Sequence, residues 1–139
     1  MKRFFPLILN LIIVFAMSCK VDEYFPKCSE CTVNEPYEAI IKCKIEWDNH
    51  KGTLVQIWEG KLEDNILIAS ERVYSSSVYE GKVPLNRYYT ITATYVIDNK
   101  TYVAVNSVLP KVKHTNNQCD EPCYFVYNNT VNLQLKYTK

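Results

Sequence analysis

The sequence contains few of the residues from which catalytic and phosphate-binding loops are built. Its 139 residues include 3 glycines and 2 histidines, and no glycine-rich phosphate loop, HExxH motif or GxSxG turn occurs. The serines of Ser75–Ser77 have no adjacent glycine that could form a nucleophile turn. His50 lies in a turn and His114 in a polar loop, whereas a general base needs a hydrogen-bonded partner and a pocket. We therefore expect that the protein is not an enzyme and has no cofactor.

An excess of one charge is also missing. Sixteen Lys and Arg residues oppose fifteen Asp and Glu residues, so the formal net charge is +1, and removal of Lys2 and Arg3 would bring it to −1. Charges of both signs alternate along the chain without a block of either. Binding to nucleic acid depends on a concentrated basic face, so we expect no nucleic-acid partner. After residue 18, no apolar run approaches the about 20 residues that cross a bilayer.

The one long apolar run stands at the N-terminus. Two cations precede an apolar segment over residues 4–15, and Ala16-Met17-Ser18 leads to Cys19. A charged start, a short apolar segment and small residues before a cleavage point are the three parts of a secretory signal. With a cysteine at that point, the segment resembles the signal of a bacterial lipoprotein. The resemblance implies that residues 1–18 form a signal peptide and that Cys19 receives a diacylglycerol, becomes the new N-terminus and anchors the protein to a membrane.

Two other interpretations of this segment stay open. Ala16-Met17-Ser18 also fits an ordinary secretory signal, after which Cys19 would carry a plain thiol. The segment could also stay uncut as an anchor, although its roughly 14 apolar residues, interrupted by Asn10, fall short of the about 20 needed to span a bilayer.

Residues 19–36 are expected to form a lipidated N-terminus followed by a tether. Pro26, Pro36 and several acidic residues interrupt this segment, which has no sustained alternation. Lys20-Val21-Asp22-Glu23 resembles the short signals that direct some Bacteroidota lipoproteins to the cell surface, and a charged, solvated linker is the alternative. We expect the protein in the cell outer membrane, facing the periplasm or the cell surface.

From residue 37 to residue 139 the pattern predicts a single all-β domain. Ala39, Ile41, Cys43, Ile45 and Trp47 alternate with Ile40, Lys42, Lys44 and Glu46, a period of two that is typical of a half-buried strand. After a polar turn at 48–52, further strands are predicted at 53–58, 66–69, 88–97, 101–109, 124–127 and 131–137. An edge strand is predicted at 73–79 and loops at 59–65 and 111–118.

Two turns predict hairpins in the second half of the chain. Asp98-Asn99-Lys100 joins the strands at 88–97 and 101–109, and Asn128-Asn129 joins the last two. In the first of these hairpins, one face is expected to point to the core and Thr90, Thr92 and Thr94 to point away. The residues expected on the core face are Tyr89, Ile91, Ala93, Tyr95 and Ile97.

About seven short strands without a useful amphipathic helix favour a single antiparallel β-sandwich, either Ig-like or transthyretin-like. The stretch Val55-Gln56-Ile57-Trp58-Glu59-Gly60 resembles transthyretin-like or fibronectin-like accessory domains. The resemblance implies the same sandwich architecture and no particular ligand.

Five cysteines follow Cys19, and an exported chain meets an oxidising compartment in which disulfides form. Cys43 faces the predicted core and is expected to be the free thiol. The other four, in two close pairs, are expected to form two disulfides, either within each pair or between the pairs. The four could alternatively hold zinc or exchange thiols, but oxidation competes with metal outside the cytoplasm, so we expect no metal. These four cysteines are Cys28, Cys31, Cys119 and Cys123.

Aromatic residues are the main candidates for ligand contact. The chain holds 11 Tyr, and Trp58 is out of phase with the apolar face of its strand. Trp58, Tyr74 and Tyr79 are therefore candidates to contact a protein or a sugar, although packing on sheet faces is the alternative. We expect a membrane-anchored, non-catalytic binding or assembly module with an envelope protein as partner. The alternatives are a glycan-binding accessory lipoprotein and an envelope zinc or thiol protein.

Overall fold

The structure is a computed structural model that describes residues 27–46 and 50–136. The expected signal peptide, Cys19, most of the tether before Lys27, and Trp47 lie outside the described residues. Two short 3-10 helices occur, at Cys28–Glu30 and Leu62–Asp64. The nine strands are β1 (Glu38–Lys44), β2 (Thr53–Glu59), β3 (Ile66–Val73), β4 (Val78–Pro84), β5 (Tyr89–Ile97), β6 (Lys100–Val108), β7 (Lys111–Thr115), β8 (Cys123–Tyr127) and β9 (Thr130–Asn132).

The strands form a sandwich, which confirms the predicted all-β fold class. One sheet has the order β4-β1-β9 and the other has the order β3-β2-β5-β6, while β7 and β8 form a separate two-stranded sheet. Buried side chains from both larger sheets meet in one apolar cluster. Every described pairing between strands is antiparallel except that of β1 with β9.

The alternation in β1 and β5 places the core as the sequence predicts. Ile41, Cys43 and Ile45 are fully buried, and so are Tyr89 and Ile91. The same face of these strands includes Ala39, Ala93 and Tyr95, which are also buried, and Ile97, which packs against the core.

The threonine face of β5 points away from the core cluster, as predicted, but two of its residues are buried by their neighbours. Thr90 and Thr92 are buried, at 5% and 6% exposed. In the ladder, β5 lies between β2 and β6, so larger side chains such as Trp58 flank its short threonines. Thr90 satisfies its hydroxyl by donating to the Gly60 carbonyl oxygen at 2.7 Å.

A tyrosine fixes the corner between the two sheets. Tyr89 begins β5, and its hydroxyl donates to the carbonyl oxygen of Pro84, five residues upstream, at 2.9 Å. This is the geometry of the tyrosine corner of Ig-like sandwiches. The Leu85 amide, between them, donates to the Tyr37 carbonyl oxygen at 3.1 Å, which holds the start of β1 against the same corner.

One strand and one loop predicted from the sequence are wrong. The predicted strand at 73–79 covers the end of β3, a connection and the start of β4, whose buried positions continue from Tyr79 through Gly81 to Val83. The predicted loop at 111–118 contains β7, whose polar residues pair with β8 at the margin of the sandwich. The edge position is correct for β4, which ends at Pro84 and borders its sheet.

The last predicted hairpin does not form in the described chain. β8 pairs with β7, whereas β9 runs parallel to β1. Asn129 makes this connection, since its side-chain amide donates to the Ile40 carbonyl at 2.9 Å and its own carbonyl accepts from the Lys42 amide at 2.8 Å. The chain therefore continues along β1 instead of turning back on β8.

Candidate functional site: the disulfide end and the β3 edge

The two cysteine pairs bond to each other rather than within themselves. Cys28 bonds to Cys119 and Cys31 bonds to Cys123, with Cα–Cα distances of 5.7 Å and 5.4 Å. Of the two arrangements that the sequence left open, the structure therefore has the one that joins the N-terminal segment to the late loop. We call these four cysteines the disulfide end.

Backbone pairing supports the same attachment. Thr32 and Tyr124 exchange two hydrogen bonds, of 2.9 Å and 2.8 Å, which adds the N-terminal segment to the side of β8. The ammonium of Lys42 lies 3.7 Å from the Glu30 carboxylate, across the surface of β1. Both partners are partly exposed, so this ion pair contributes little stability. Residues 28–32 are thus held against the domain.

Cys43 is the free cysteine among the described residues, as the sequence predicts. Its side chain is 0% exposed, and it lies on β1 between the two larger sheets. Burial without a charged partner raises the pKa of its thiol to about 12. A thiol that stays protonated is a poor nucleophile and a poor metal ligand, so Cys43 is a packing residue.

The three aromatic candidates occupy three different environments. Tyr74 is 48% exposed, in the connection between β3 and β4. Trp58 is half-buried on the outward face of β2, and its indole N–H has no hydrogen-bond partner among the described residues. Tyr79 is 7% exposed and packs in the core, and it also lines, with Tyr74, a surface cavity of about 420 Å³. That these residues contact a ligand stays a prediction.

Tyr79 points inward because β4 alternates in register with β1. Tyr79, Gly81 and Val83 are its buried positions, and Tyr79 pairs with Cys43 in the ladder. A Cβ at Gly81 would collide with Ile57 of the opposite sheet, so the glycine lets the two sheets approach there. Burial is the main reason that the pKa of Tyr79 is raised, with the Glu71 carboxylate adding to it.

Three of the residues that could have suggested catalysis make local contacts. The Asp64 carboxylate accepts from the Lys61 amide at 2.8 Å and closes the 3-10 helix at Leu62–Asp64. Ser76 bonds to the backbone of Val78 through its hydroxyl. The ring of His114 lies 4.6 Å from the ring of Tyr124, on the outside of the β7–β8 pair.

The strand at the margin of the larger sheet carries the feature that the sequence did not predict. β3 pairs with β2 on one side, and among the described strands none lies on its other side. Its first three residues, Ile66, Leu67 and Ile68, are 51%, 47% and 40% exposed. We call this strand, Ile66–Val73, the β3 edge. The sequence signal was the uninterrupted apolar run 66–69, which predicts a strand but not which of its sides is open.

The ladder between β2 and β3 is irregular in its middle. Ile57 pairs with Ala69 and Trp58 pairs with Leu67, so Ile68 is the extra residue of a bulge. Toward the end of the strand, Glu71 and Arg72 replace apolar residues. A bulge and charges are two devices that limit uncontrolled pairing of an edge strand. The apolar part of the edge is therefore short and lies at its beginning.

The chain matches no family model, no curated protein and no solved structure with which it was compared. Within residues 27–46 and 50–136, no helix combines the length and apolar character needed to cross a bilayer.

Proposed function

We propose that this protein is a lipid-anchored module of a bacterial cell envelope that binds an envelope protein without catalysing a reaction. The anchor is the lipidated Cys19 that the N-terminal signal implies. The partner contact is the β3 edge, to which an extended segment of the partner adds as a further strand. The single observation that carries the binding proposal is the apolar beginning of β3, whose outer side pairs with none of the described strands.

The chemistry of the β3 edge favours a protein segment over other ligands. An open strand offers a row of backbone donors and acceptors, which a second extended chain satisfies. Ile66, Leu67 and Ile68 offer apolar contacts next to that row, and they are surrounded by solvent in this structure. Burying such side chains against a partner contributes about 25 cal/mol per Å² of apolar surface.

A glycan-binding role has less support. Stacking on a sugar needs two aromatic rings in one exposed surface. Trp58 lies on the outward face of its sheet, Tyr79 lies in the core and Tyr74 lies in a connection between sheets. Tyr74 and Tyr79 line one cavity, but Tyr79 is only 7% exposed, so the two do not offer a pair of exposed rings.

The position of the disulfide end supports an anchored arrangement. Nine peptide units separate Cys19 from Cys28, and they span at most about 30 Å at about 3.3 Å per residue. A domain attached in this way stays close to the membrane that holds the lipid, and β3 remains free to contact a neighbouring envelope protein.

The binding proposal is tested by capturing partners from detergent-solubilised envelopes with the lipidated protein. Leu67→Lys places a charge on the apolar part of the β3 edge, whereas Val103→Lys places the same charge on β6, at the other margin of the sheet. Val103 is 54% exposed and Leu67 is 47% exposed, so the two variants are matched in burial. We expect the wild type and Val103→Lys to capture the same protein and Leu67→Lys to lose it.

A photoreactive amino acid at Ile66 supplies a second measurement. It should form a covalent bond to the captured protein, and the amide hydrogens of β3 should exchange more slowly in the complex than in the free protein. If both lysine variants capture equally, or if β3 exchange is unchanged in the complex, the β3 edge is not the contact.

The anchor is tested separately with Cys19→Ser. The variant should lose lipid labelling and leave the membrane fraction, because one serine cannot carry the diacylglycerol thioether. Mass spectrometry of the mature N-terminus of the wild type should find a modified cysteine. An unmodified thiol, or a variant that stays in the membrane unchanged, would remove the lipid anchor from the proposal.

A further inference from the structure

Four cysteine sulfurs from two distant parts of the chain converge at the disulfide end. The Sγ atoms of Cys31, Cys119 and Cys123 all lie within 4.8 Å of one another. The sulfur of Cys28 is bonded to that of Cys119 and so lies beside these three, although it is not within 4.8 Å of all of them. The Sγ atoms of Cys31 and Cys119, which belong to different disulfides, are 3.6 Å apart.

This non-bonded separation matches the edge of a metal site. Zinc binds thiolate sulfur at about 2.3 Å in a tetrahedron, whose sulfurs are therefore about 3.8 Å apart. Structural zinc sites commonly take two ligands from each of two short chelating segments. Cys28-x2-Cys31 and Cys119-x3-Cys123 provide two such segments.

The two segments are held together by contacts that do not depend on sulfur–sulfur bonds. Thr32, next to Cys31, exchanges two backbone hydrogen bonds with Tyr124, next to Cys123. Cys123 also pairs with Thr115 in the ladder of β7 and β8. After cleavage of both disulfides, these hydrogen bonds keep the ligand-bearing residues near one another.

We propose that the dithiol form of the disulfide end binds one Zn²⁺ through Cys28, Cys31, Cys119 and Cys123. The site has two covalent states, of which one is the pair of disulfides and the other is a tetrathiolate metal centre. A surface cavity of about 280 Å³ lined by all four cysteines gives a cation access. Asp120 and Glu121 line the same cavity and make its entrance negatively charged.

The conversion between the states balances with a trialkylphosphine as reductant. Each phosphine takes the oxygen of one water and becomes a phosphine oxide, while one disulfide gains the two hydrogens and becomes two thiols. Two phosphines thus yield four thiols. One Zn²⁺ then replaces the four protons and forms four zinc–sulfur bonds. A newly exported chain that is not yet oxidised holds the same thiols and needs no reductant.

The test uses the full-length protein purified in detergent, reduced with phosphine without oxygen and titrated with Co²⁺ as a spectroscopic substitute for Zn²⁺. One equivalent of Co²⁺ should produce the intense visible bands of tetrahedral cobalt thiolate, and Zn²⁺ should remove them. Cys43→Ala is the matched control, because Cys43 lies in the core away from the cluster, and it should leave the titration unchanged.

Variants of the cluster should weaken binding. Cys119→Ser and Cys28→Ser should each lower the affinity for Co²⁺ by more than the roughly 10–100-fold that loss of an outer-shell partner causes. As a second readout, Zn²⁺ should raise the Tm of reduced Cys43→Ala and leave that of reduced Cys119→Ser unchanged. Metal binding of this kind is coupled to folding.

Three results would each overturn the proposed zinc site. They are the absence of tetrahedral bands after reduction, equal affinity in Cys119→Ser and wild type, and loss of the bands in Cys43→Ala. The site contains neither Cys19 nor any residue of β3, so its failure would leave the proposed binding function intact. Equally, the capture experiment with Leu67→Lys tests the binding function alone, because Leu67 lies on β3 and not at the disulfide end.

Discussion

Buried tyrosine hydroxyls connect the ends of the strands to the core. Tyr89 donates to the Pro84 carbonyl at 2.9 Å, and Tyr95 donates to the Leu133 carbonyl at 2.8 Å. The Tyr95 hydroxyl also accepts from the Glu46 amide at 3.3 Å. A buried tyrosine hydroxyl needs such partners, and here the partners are backbone groups at the end of β4 and in segments beyond the ends of the described strands. Much of the aromatic content of the chain therefore serves packing.

The tyrosine corner gives the first residue-scale prediction. Tyr89→Phe removes the hydroxyl and leaves the Pro84 carbonyl without its donor, so it should lower the free energy of unfolding by about 1–2 kcal/mol. The adjacent Tyr88 is 47% exposed, and Tyr88→Phe should change this free energy by less than about 0.5 kcal/mol. Urea denaturation of both variants measures the difference through the midpoint at constant slope. Equal losses in the two variants would mean that the corner hydrogen bond does not stabilise the fold.

The buried thiol gives a second residue-scale prediction, for alkaline pH. The pKa of Cys43 is about 12 in the folded protein and 9.0 for an exposed thiol. Above pH 9 the unfolded chain loses this proton and the folded chain keeps it, so stability falls as pH rises. The slope contributed by this thiol approaches about 1.4 kcal/mol per pH unit. This loss of stability occurs between pH 9 and about pH 12, the two pKa values of the thiol.

A variant separates this thiol from other alkaline groups. The buried hydroxyls of Tyr79, Tyr89 and Tyr95 also have raised pKa values, mainly through burial, and act in the same direction above pH 10. Cys43→Ala should therefore flatten the dependence of the unfolding free energy between pH 9 and pH 10, measured by rapid urea denaturation. A variant as steep as the wild type in that interval would assign the pH dependence to other groups.

At the scale of elements, two similar turns lead to different connections. Asp98 and Asn99 both adopt positive φ, of 49° and 59°, as a two-residue type I′ turn requires, and β5 and β6 form a hairpin around them. Of Asn128 and Asn129, Asn128 has positive φ, of 53°, while Asn129 bonds to β1. Both dipeptides are common in turns, but the segment after Asn129 pairs with β1 and not with β8.

The two disulfides give a prediction for the element scale, because they close nearly the same loop. Their sequence separations are 91 and 92 residues, so either bond alone restricts the unfolded chain almost as much as both. In the chain-entropy treatment, loss of one bond opens a small additional loop and costs about 2–3 kcal/mol. Loss of both opens the long loop as well and should cost about 7 kcal/mol.

Serine variants of each pair and of all four cysteines measure this non-additivity. The single-pair variants are Cys28→Ser with Cys119→Ser, and Cys31→Ser with Cys123→Ser. Their two losses should sum to less than the loss in the fourfold variant, as read from urea denaturation. Losses that simply add would show that the bonds act through local packing rather than through the shared loop.

For the whole molecule, attachment at the disulfide end limits how the domain can be placed relative to an anchored Cys19. With the bonds intact, the chain between Cys19 and Cys28 reaches at most about 30 Å. Without them, only backbone hydrogen bonds such as those between Thr32 and Tyr124 hold this segment, and when these open the reach extends to the start of β1 at Glu38, roughly 60 Å. If Cys19 carries the lipid that we propose, the disulfides therefore keep one end of the sandwich near it.

A photoreactive lipid tests this orientation, given the lipid anchor proposed above. With the disulfides intact, a photoreactive headgroup should label Asn117, beside the disulfide end, more strongly than Asp98, at the end of β5 and β6 away from the connection to β7. The fourfold serine variant should reduce this preference. Equal labelling of the two positions in the wild type would show that the disulfide end does not face the membrane.

The sequence by itself determined the fold class and much of the core. Period-two alternation placed Ile41, Cys43 and Ile45 inside, because a strand in a sandwich has one face to bury and the order of residues decides which face it is. The same alternation identified Cys43 as the free thiol. The Asp98-Asn99 turn was also readable, since positive φ at two adjacent positions is a local preference of Asp and Asn.

Tertiary structure alone decided the features that depend on which segments meet. The sequence could not choose the disulfide partners, because both arrangements use the same four cysteines and differ in the approach of residue 28 to residue 119. It could not show that Tyr79 is buried, because that depends on the register in which β4 pairs with β1 and on the sheet that packs over it. Nor could it reveal the open side of β3. Whether a strand lies at a margin is decided by the order of strands in the sheet, and that order is set by long-range pairing that alternation along one strand does not encode.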